Sequence, residues 1–140
     1  KAYGLAGLRV GFSVTSSSMA DYLNRVRQPF NVNSLALAAA EVALNDTEHL
    51  EKCLKLNKQE KERFYKFFES HQYHFIKSFA NFISFDCKGS SNKVFNSLLP
   101  KGVITRSMEI YKMPNHLRVT IGLPEENSVF MESLTSLNES

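Results

Sequence analysis

The stretch LRVTIG, residues 117–122, puts Leu117, Val119 and Ile121 on one face of a strand and leaves Arg118 and Thr120 on the other. Arg106 closes the short apolar run VITR, and Arg9 stands inside a third apolar run, LRVGFSV, residues 8–14. A guanidinium in such a place needs an anionic partner, because burying it unpaired is costly. Its planar fork matches carboxylate and phosphate groups. Each arginine alone fits a structural carboxylate or a solvent-facing strand end. The three together, with Lys1, suggest a site for an anionic ligand, although the sequence by itself does not bring them into proximity.

The other reactive side chains offer less. His71 and His74 lie close together at an expected helix end, but no carboxylate or further histidine completes a metal set. With His49 and His116 they read as surface or capping groups. Ser16, Ser17 and Ser18 form a turn without a partner base, and Lys88-Gly89-Ser90 lacks the preceding glycines of a phosphate loop. Phe64, Phe67, Phe68, Phe82 and Phe85 read as core packing. Cys53 and Cys87 have neither zinc nor redox spacing and read as unpaired thiols of a reducing compartment.

Elements must position the arginines. SMADYLNRVRQ (18–28) has Met19, Tyr22, Leu23 and Val26 on one helical face and stops at Pro29. SLALAAAEVALN (34–45) is an alanine-rich helix with a serine or asparagine cap before it. The longest helical signal covers 45–71, with Thr47 as cap and Leu50, Cys53, Leu54, Phe64, Phe67 and Phe68 as its stripe. Asn57 and Lys61 interrupt that stripe, so its two halves are expected to meet different surroundings. FIKS (75–78), ANFISFDC (80–87), VITR (103–106) and LRVTIG read as strands, and LRVGFSV as a buried one. A short helix over 92–102 ends on a glycine, and Pro124 opens a last helix whose inner face is Phe130, Leu134 and Leu137. The order predicts an α/β chain whose C-terminal part is α+β, with helices packed on a small mixed sheet.

Composition sets the remaining bounds. With 140 residues, 43% of them hydrophobic, the chain can bury a core. A net charge of +3, with acids and lysines alternating in EKCLKLNKQEKER, describes a solvated helix face rather than a nucleic-acid footprint. No apolar stretch approaches the roughly 20 residues of a membrane span. A cytoplasmic protein with no nucleic-acid or membrane partner is the expectation.

KAYGLAGLRVG (1–11) resembles the lysine segment of the fold-type I pyridoxal-phosphate aminotransferases. The whole chain is similar to the C-terminal part of the histidinol-phosphate aminotransferase family, through RQPFNVNSLALAAA (27–40), SFANFISFD (78–86), LLPKGVITR (98–106) and MPNHLRVTIGLPEEN (113–127). The resemblance implies that Lys1 condenses with the aldehyde of pyridoxal 5'-phosphate and moves the substrate's Cα proton. It implies that Arg9 helps hold the cofactor phosphate, that Arg118 clamps a substrate α-carboxylate and that Arg106 binds the phosphate of histidinol phosphate. Transamination between histidinol phosphate and 2-oxoglutarate, with glutamate as the other amino acid, is the implied reaction of histidine biosynthesis, carried out by a homodimer. Threonine-phosphate decarboxylation, aromatic transamination or a non-catalytic interaction domain are the alternatives.

By the same resemblance, residues 1–45 are the end of a large cofactor-binding domain with its connecting helices, and 46–140 are the small domain. A chain opening on Lys1 without methionine reads as the interior of a longer polypeptide. The family's other cofactor contacts, including the aspartate at the pyridine nitrogen, are expected upstream. The 140 residues alone are therefore expected to be inactive.

Overall fold

The computed structural model describes residues 2–138, so Lys1 lies outside the described residues. The chain divides into two compact units, Lys1–Leu54 and Lys55–Ser140.

In the N-terminal unit a 3-10 turn, Leu5–Leu8, precedes two helices. Helix α1 (Ser17–Val26) starts where Ser16 Oγ accepts the amide of Met19 at 3.4 Å. Helix α2 (Ser34–Asn45) starts where Asn33 Oδ1 accepts the amide of Ala36 at 2.8 Å. Both caps satisfy amides that the first helical turn leaves without a carbonyl. The expected strand over 8–14 is absent: Arg9 turns into the left-handed region at φ 59°, and residues 11–16 run on without regular structure. A strand is held by ladder partners, and none of the described residues pairs with this run. Ala36 is the one buried residue described in this unit, while Phe12, Val14, Val26, Phe30, Leu35 and Val42 are exposed.

Helix α3 (Thr47–Ser70) crosses from one unit into the other. Asp46, rather than the expected Thr47, caps it, its Oδ1 accepting the amide of His49 at 3.0 Å. Phe64 and Phe68 on its second half are fully buried, whereas Leu54 on the first half is exposed. The two halves of the helix thus have different surroundings, as its broken stripe suggested.

The C-terminal unit is a four-stranded sheet in the order β1-β2-β4-β3, with β1 Phe75–Ile76, β2 Phe82–Asp86, β3 Arg106–Ser107 and β4 His116–Thr120. Helix α4 (Ser91–Leu98) lies between β2 and β3 in sequence, and α5 (Pro124–Asn138) follows β4. Helices on a small sheet are as expected. Each of the three strand pairs is antiparallel, which narrows the expected mixed sheet. β3 also begins at Arg106 rather than ending there. The chain before it comes off a 3-10 turn, Leu99–Lys101, closed by Gly102 at φ 76°. That left-handed geometry suits glycine.

Strand alternation separates the sheet into two faces. Ile83, Phe85, Leu117 and Val119 point into a core completed by Phe64, Phe68, Leu98, Phe130 and Leu134. Phe68 stacks on Phe85 with ring centroids 4.7 Å apart, and Phe130 meets both Phe64 and Phe85 edge-on or tilted. Each such side chain contributes about 1.5–3 kcal/mol by leaving water. The opposite face carries Phe82, Ser84, Asp86, His116, Arg118, Thr120 and Arg106.

A polar clasp fixes the turn between β4 and α5. Asn127, 2% exposed, donates to Glu60 Oε2 at 2.7 Å and to Gly122 O at 3.0 Å, and its Oδ1 accepts the Gly122 amide at 2.9 Å. Arg63 donates to Pro124 O and Ser128 Oγ, tying the start of α5 to α3. The turn fixes where the chain leaves β4 for α5.

Candidate active site

Antiparallel register places Arg106 directly opposite Arg118 across β3 and β4. Directly opposed like charges destabilise a sheet, so this pair costs stability unless an anion lies near it. Arg106 is exposed and Arg118 half-buried. Among the described residues no carboxylate lies within ion-pair distance of either one. Other arginines of the chain do have such partners: Arg25 meets Asp21 at 2.5 Å and Arg63 meets Glu60 at 3.3 Å.

Aromatic rings take the carboxylates' place. The guanidinium carbon of Arg118 stands over the Phe82 ring, 4.6 Å from its centroid. That of Arg106 stands over Tyr111 at 5.9 Å, with one nitrogen 3.5 Å from the phenol oxygen. Phe82 is therefore not a core residue, in contrast to Phe64, Phe68 and Phe85. Its side chain points away from Ile83 and Phe85, and the alternation of FISFD already separated it from them. Tyr111 belongs to a 3-10 turn, Glu109–Tyr111, in the segment between VITR and LRVTIG.

Arg9 sits in the N-terminal unit with its side chain exposed. One of its nitrogens donates to Ala6 O at 3.0 Å, so its own turn holds it, and no described acidic residue pairs with it. Asn33 Nδ2 donates to Leu8 O at 3.4 Å, which joins the same turn to the start of α2. Lys1 lies outside the described residues.

The side chains set aside above have local work. His71 Nδ1 lies 2.9 Å from Phe67 O at the end of α3, and Lys88 Nζ donates to His71 O at 3.0 Å. The described residues contain no cluster of three or more groups able to hold a metal ion. Cys53 and Cys87 are free thiols. Burial pushes the Cys87 thiol up, and the Asp86 charge adds to this, against hydrogen bonds with the backbone around Gly89. Among the described residues no helix is long and apolar enough to cross a membrane.

The sheet thus carries two guanidiniums on one face and a layer of helices behind the other. The model of the aminotransferase class I and II family matches residues 1–134, and the chain belongs to that family. It is 48% identical over 137 residues to histidinol-phosphate aminotransferase 1 of Idiomarina loihiensis, covering 98% of this chain and 37% of the relative. It is 53% identical over 134 residues to histidinol-phosphate aminotransferase 2 of Pseudomonas fluorescens, covering 96% of this chain and 36% of that one. The chain thus spans little more than a third of the relatives' length. The crystal structure of histidinol-phosphate aminotransferase from Sinorhizobium meliloti in complex with pyridoxal-5'-phosphate superposes with a TM-score of 0.83. That match, at 23% identity, covers 98% of this chain and 40% of the other.

Proposed function

We propose that the chain is the C-terminal part of a pyridoxal-phosphate-dependent enzyme that moves an amino group between histidinol phosphate and 2-oxoglutarate. The observation that carries this reading is the cross-strand pair Arg106 and Arg118, two cations on one sheet face with no described carboxylate within ion-pair distance of either. The reaction has two anions to place. Histidinol phosphate brings a phosphate and no carboxylate, whereas glutamate and 2-oxoglutarate bring an α-carboxylate. Arg106, exposed at the sheet edge, takes the phosphate. Arg118, half-buried and backed by a ring, takes the carboxylate as a planar fork.

The residues present fit the cofactor's anionic end as well. Arg9 is exposed and without an acidic partner among the described residues, so its charge is available to the cofactor phosphate. Pyridoxal phosphate, when bound, supplies an electron sink. Lys1 is assigned its covalent attachment and, as a free amine, the uptake and return of the proton at the substrate's Cα. Residues 1–45 are assigned to the end of the cofactor-binding domain and 46–140 to the small domain. A cytoplasmic homodimer completes the proposal.

Glutamate formation from 2-oxoglutarate, measured in the complete enzyme with histidinol phosphate as donor, tests the function. Amino transfer from histidinol phosphate is expected. Release of carbon dioxide from threonine phosphate, without transfer from histidinol phosphate, would replace this reading with a decarboxylase.

A further inference from the structure

We infer that Phe82 is a positioning residue for Arg118, a step that rests on the assignment of Arg118 to the substrate carboxylate. Phe82 lies opposite Thr120 on β4, one diagonal from Arg118. Diagonal neighbours on one face are within reach of an aromatic ring and a long side chain. The guanidinium carbon stands 4.6 Å from the ring centroid. The ring's negative face attracts the cation from one side and offers no acceptor in the guanidinium plane. A carboxylate in the same place would hold the arginine more tightly, but it would occupy the fork and cancel the charge. A ring orients the group and leaves its N–H edges for a ligand.

The residue directly across from Arg118 supports this arrangement. Ser84 is 9% exposed, and its Oγ is buried without a hydrogen-bond partner among the described residues. A side chain that short gives Arg118 no polar anchor. It also leaves the arginine stem room to lean along the sheet toward Phe82. The position thus combines a small neighbour, an aromatic platform and a free cation. Holding the arginine in one orientation before the ligand arrives reduces the side-chain entropy lost on binding. Phe82 then acts on the affinity for the carboxylate substrate rather than on the chemical step.

Steady-state kinetics of the complete enzyme test this with Phe82→Leu, Phe82→Tyr, Arg118→Ala and the double variant Phe82→Leu/Arg118→Ala. Phe82→Leu is expected to raise KM for glutamate and 2-oxoglutarate about three- to tenfold. KM for histidinol phosphate should stay within about twofold, because Arg106 rests on Tyr111 instead. Phe82→Tyr, which keeps the ring face, should restore the wild-type values, and in the Arg118→Ala background Phe82→Leu should add nothing. A fall in kcat and thermal stability with the KM ratio unchanged, or an effect that stays additive with Arg118→Ala, makes Phe82 a packing residue and overturns the inference. Unchanged dicarboxylate KM values in Arg118→Ala alone would show that the assignment of Arg118 has failed, and the inference would fall with it.

Discussion

Arg118 carries three structural conditions at once: a core strand beneath it, a second arginine opposite it and an aromatic ring under its guanidinium. Its geometry suits two parallel hydrogen bonds to a carboxylate, each worth about 1.5–3 kcal/mol to a charged partner. Replacing it with alanine is therefore expected to lower kcat/KM for glutamate about a hundredfold or more, measured by coupled assay of the complete enzyme. Arg118→Lys should recover only part of this, since an ammonium keeps the charge and loses the fork. Cys87 offers a separate test at the same scale. Its thiol is 8% exposed, lies 3.1 Å from Asn115 O, and is pushed up chiefly by burial. Unfolding exposes the thiol and lets it lose its proton more easily, so its contribution to stability is complete below the ordinary thiol range and declines as pH rises above it. The gap in urea midpoint between wild type and Cys87→Ala should be constant below about pH 8 and narrow above it. A gap that widens with pH would contradict the assigned direction.

At the scale of elements, the small sheet depends on polar fasteners at its rim. Asn127 satisfies both the donor and the acceptor of Gly122 while bonding the Glu60 carboxylate. Asn127→Ala removes the side-chain partner of the Gly122 amide and carbonyl and leaves the Glu60 carboxylate oxygen with Arg63 alone. A loss of about 2–4 kcal/mol in urea unfolding is expected, with the far-UV signal of the folded state unchanged. On the other side of α3, Lys61 Nζ donates to Ser78 O at 3.0 Å, and Tyr65 Oη accepts the Ser78 amide at 2.9 Å. These bonds hold the turn from β1 to β2 and so fix where Phe82 enters the sheet. Asn57 Nδ2 donates to Ala80 O at 3.5 Å, so both residues that interrupt the apolar stripe of α3, Asn57 and Lys61, bond the segment leading into the strand that bears Phe82. Their polarity was visible in the sequence, but their partners were not, because a side chain's carbonyl partner is set by packing rather than by spacing.

For the molecule as a whole, the two units differ in what they bury. The C-terminal unit has a continuous aromatic and aliphatic core. The N-terminal unit buries Ala36 among its described residues and exposes apolar side chains along its helices and on the segments between them. Helices of this length draw most of their stability from packing. Hydrogen exchange on the 140-residue chain should therefore show strong protection at β2, β4 and the second half of α3, and weak protection in α1 and α2. Equal protection in both units would contradict this. The same chain, freed of any other part of the enzyme, is expected to transaminate nothing. Absorbance of protein-bound pyridoxal phosphate should appear in the complete enzyme and vanish in Lys1→Ala.

The sequence alone determined the periodic elements. Ser34–Asn45, the long helix, the glycine stop at Gly102 and the start of the last helix at Pro124 all follow from local rules of capping, periodicity and proline geometry. The resemblance of KAYGLAGLRVG and NHLRVTIGLPEEN to the aminotransferases was equally legible, because it lies in residue order. The strand expected at 8–14 was not to be had from composition, since a strand exists only where another backbone pairs with it. Which arginine opposes which, and which phenylalanine leaves the core to lie beneath a guanidinium, was decided by register. Register arises when separate strands meet, with β4 inserted between β2 and β3, so no local pattern contains it.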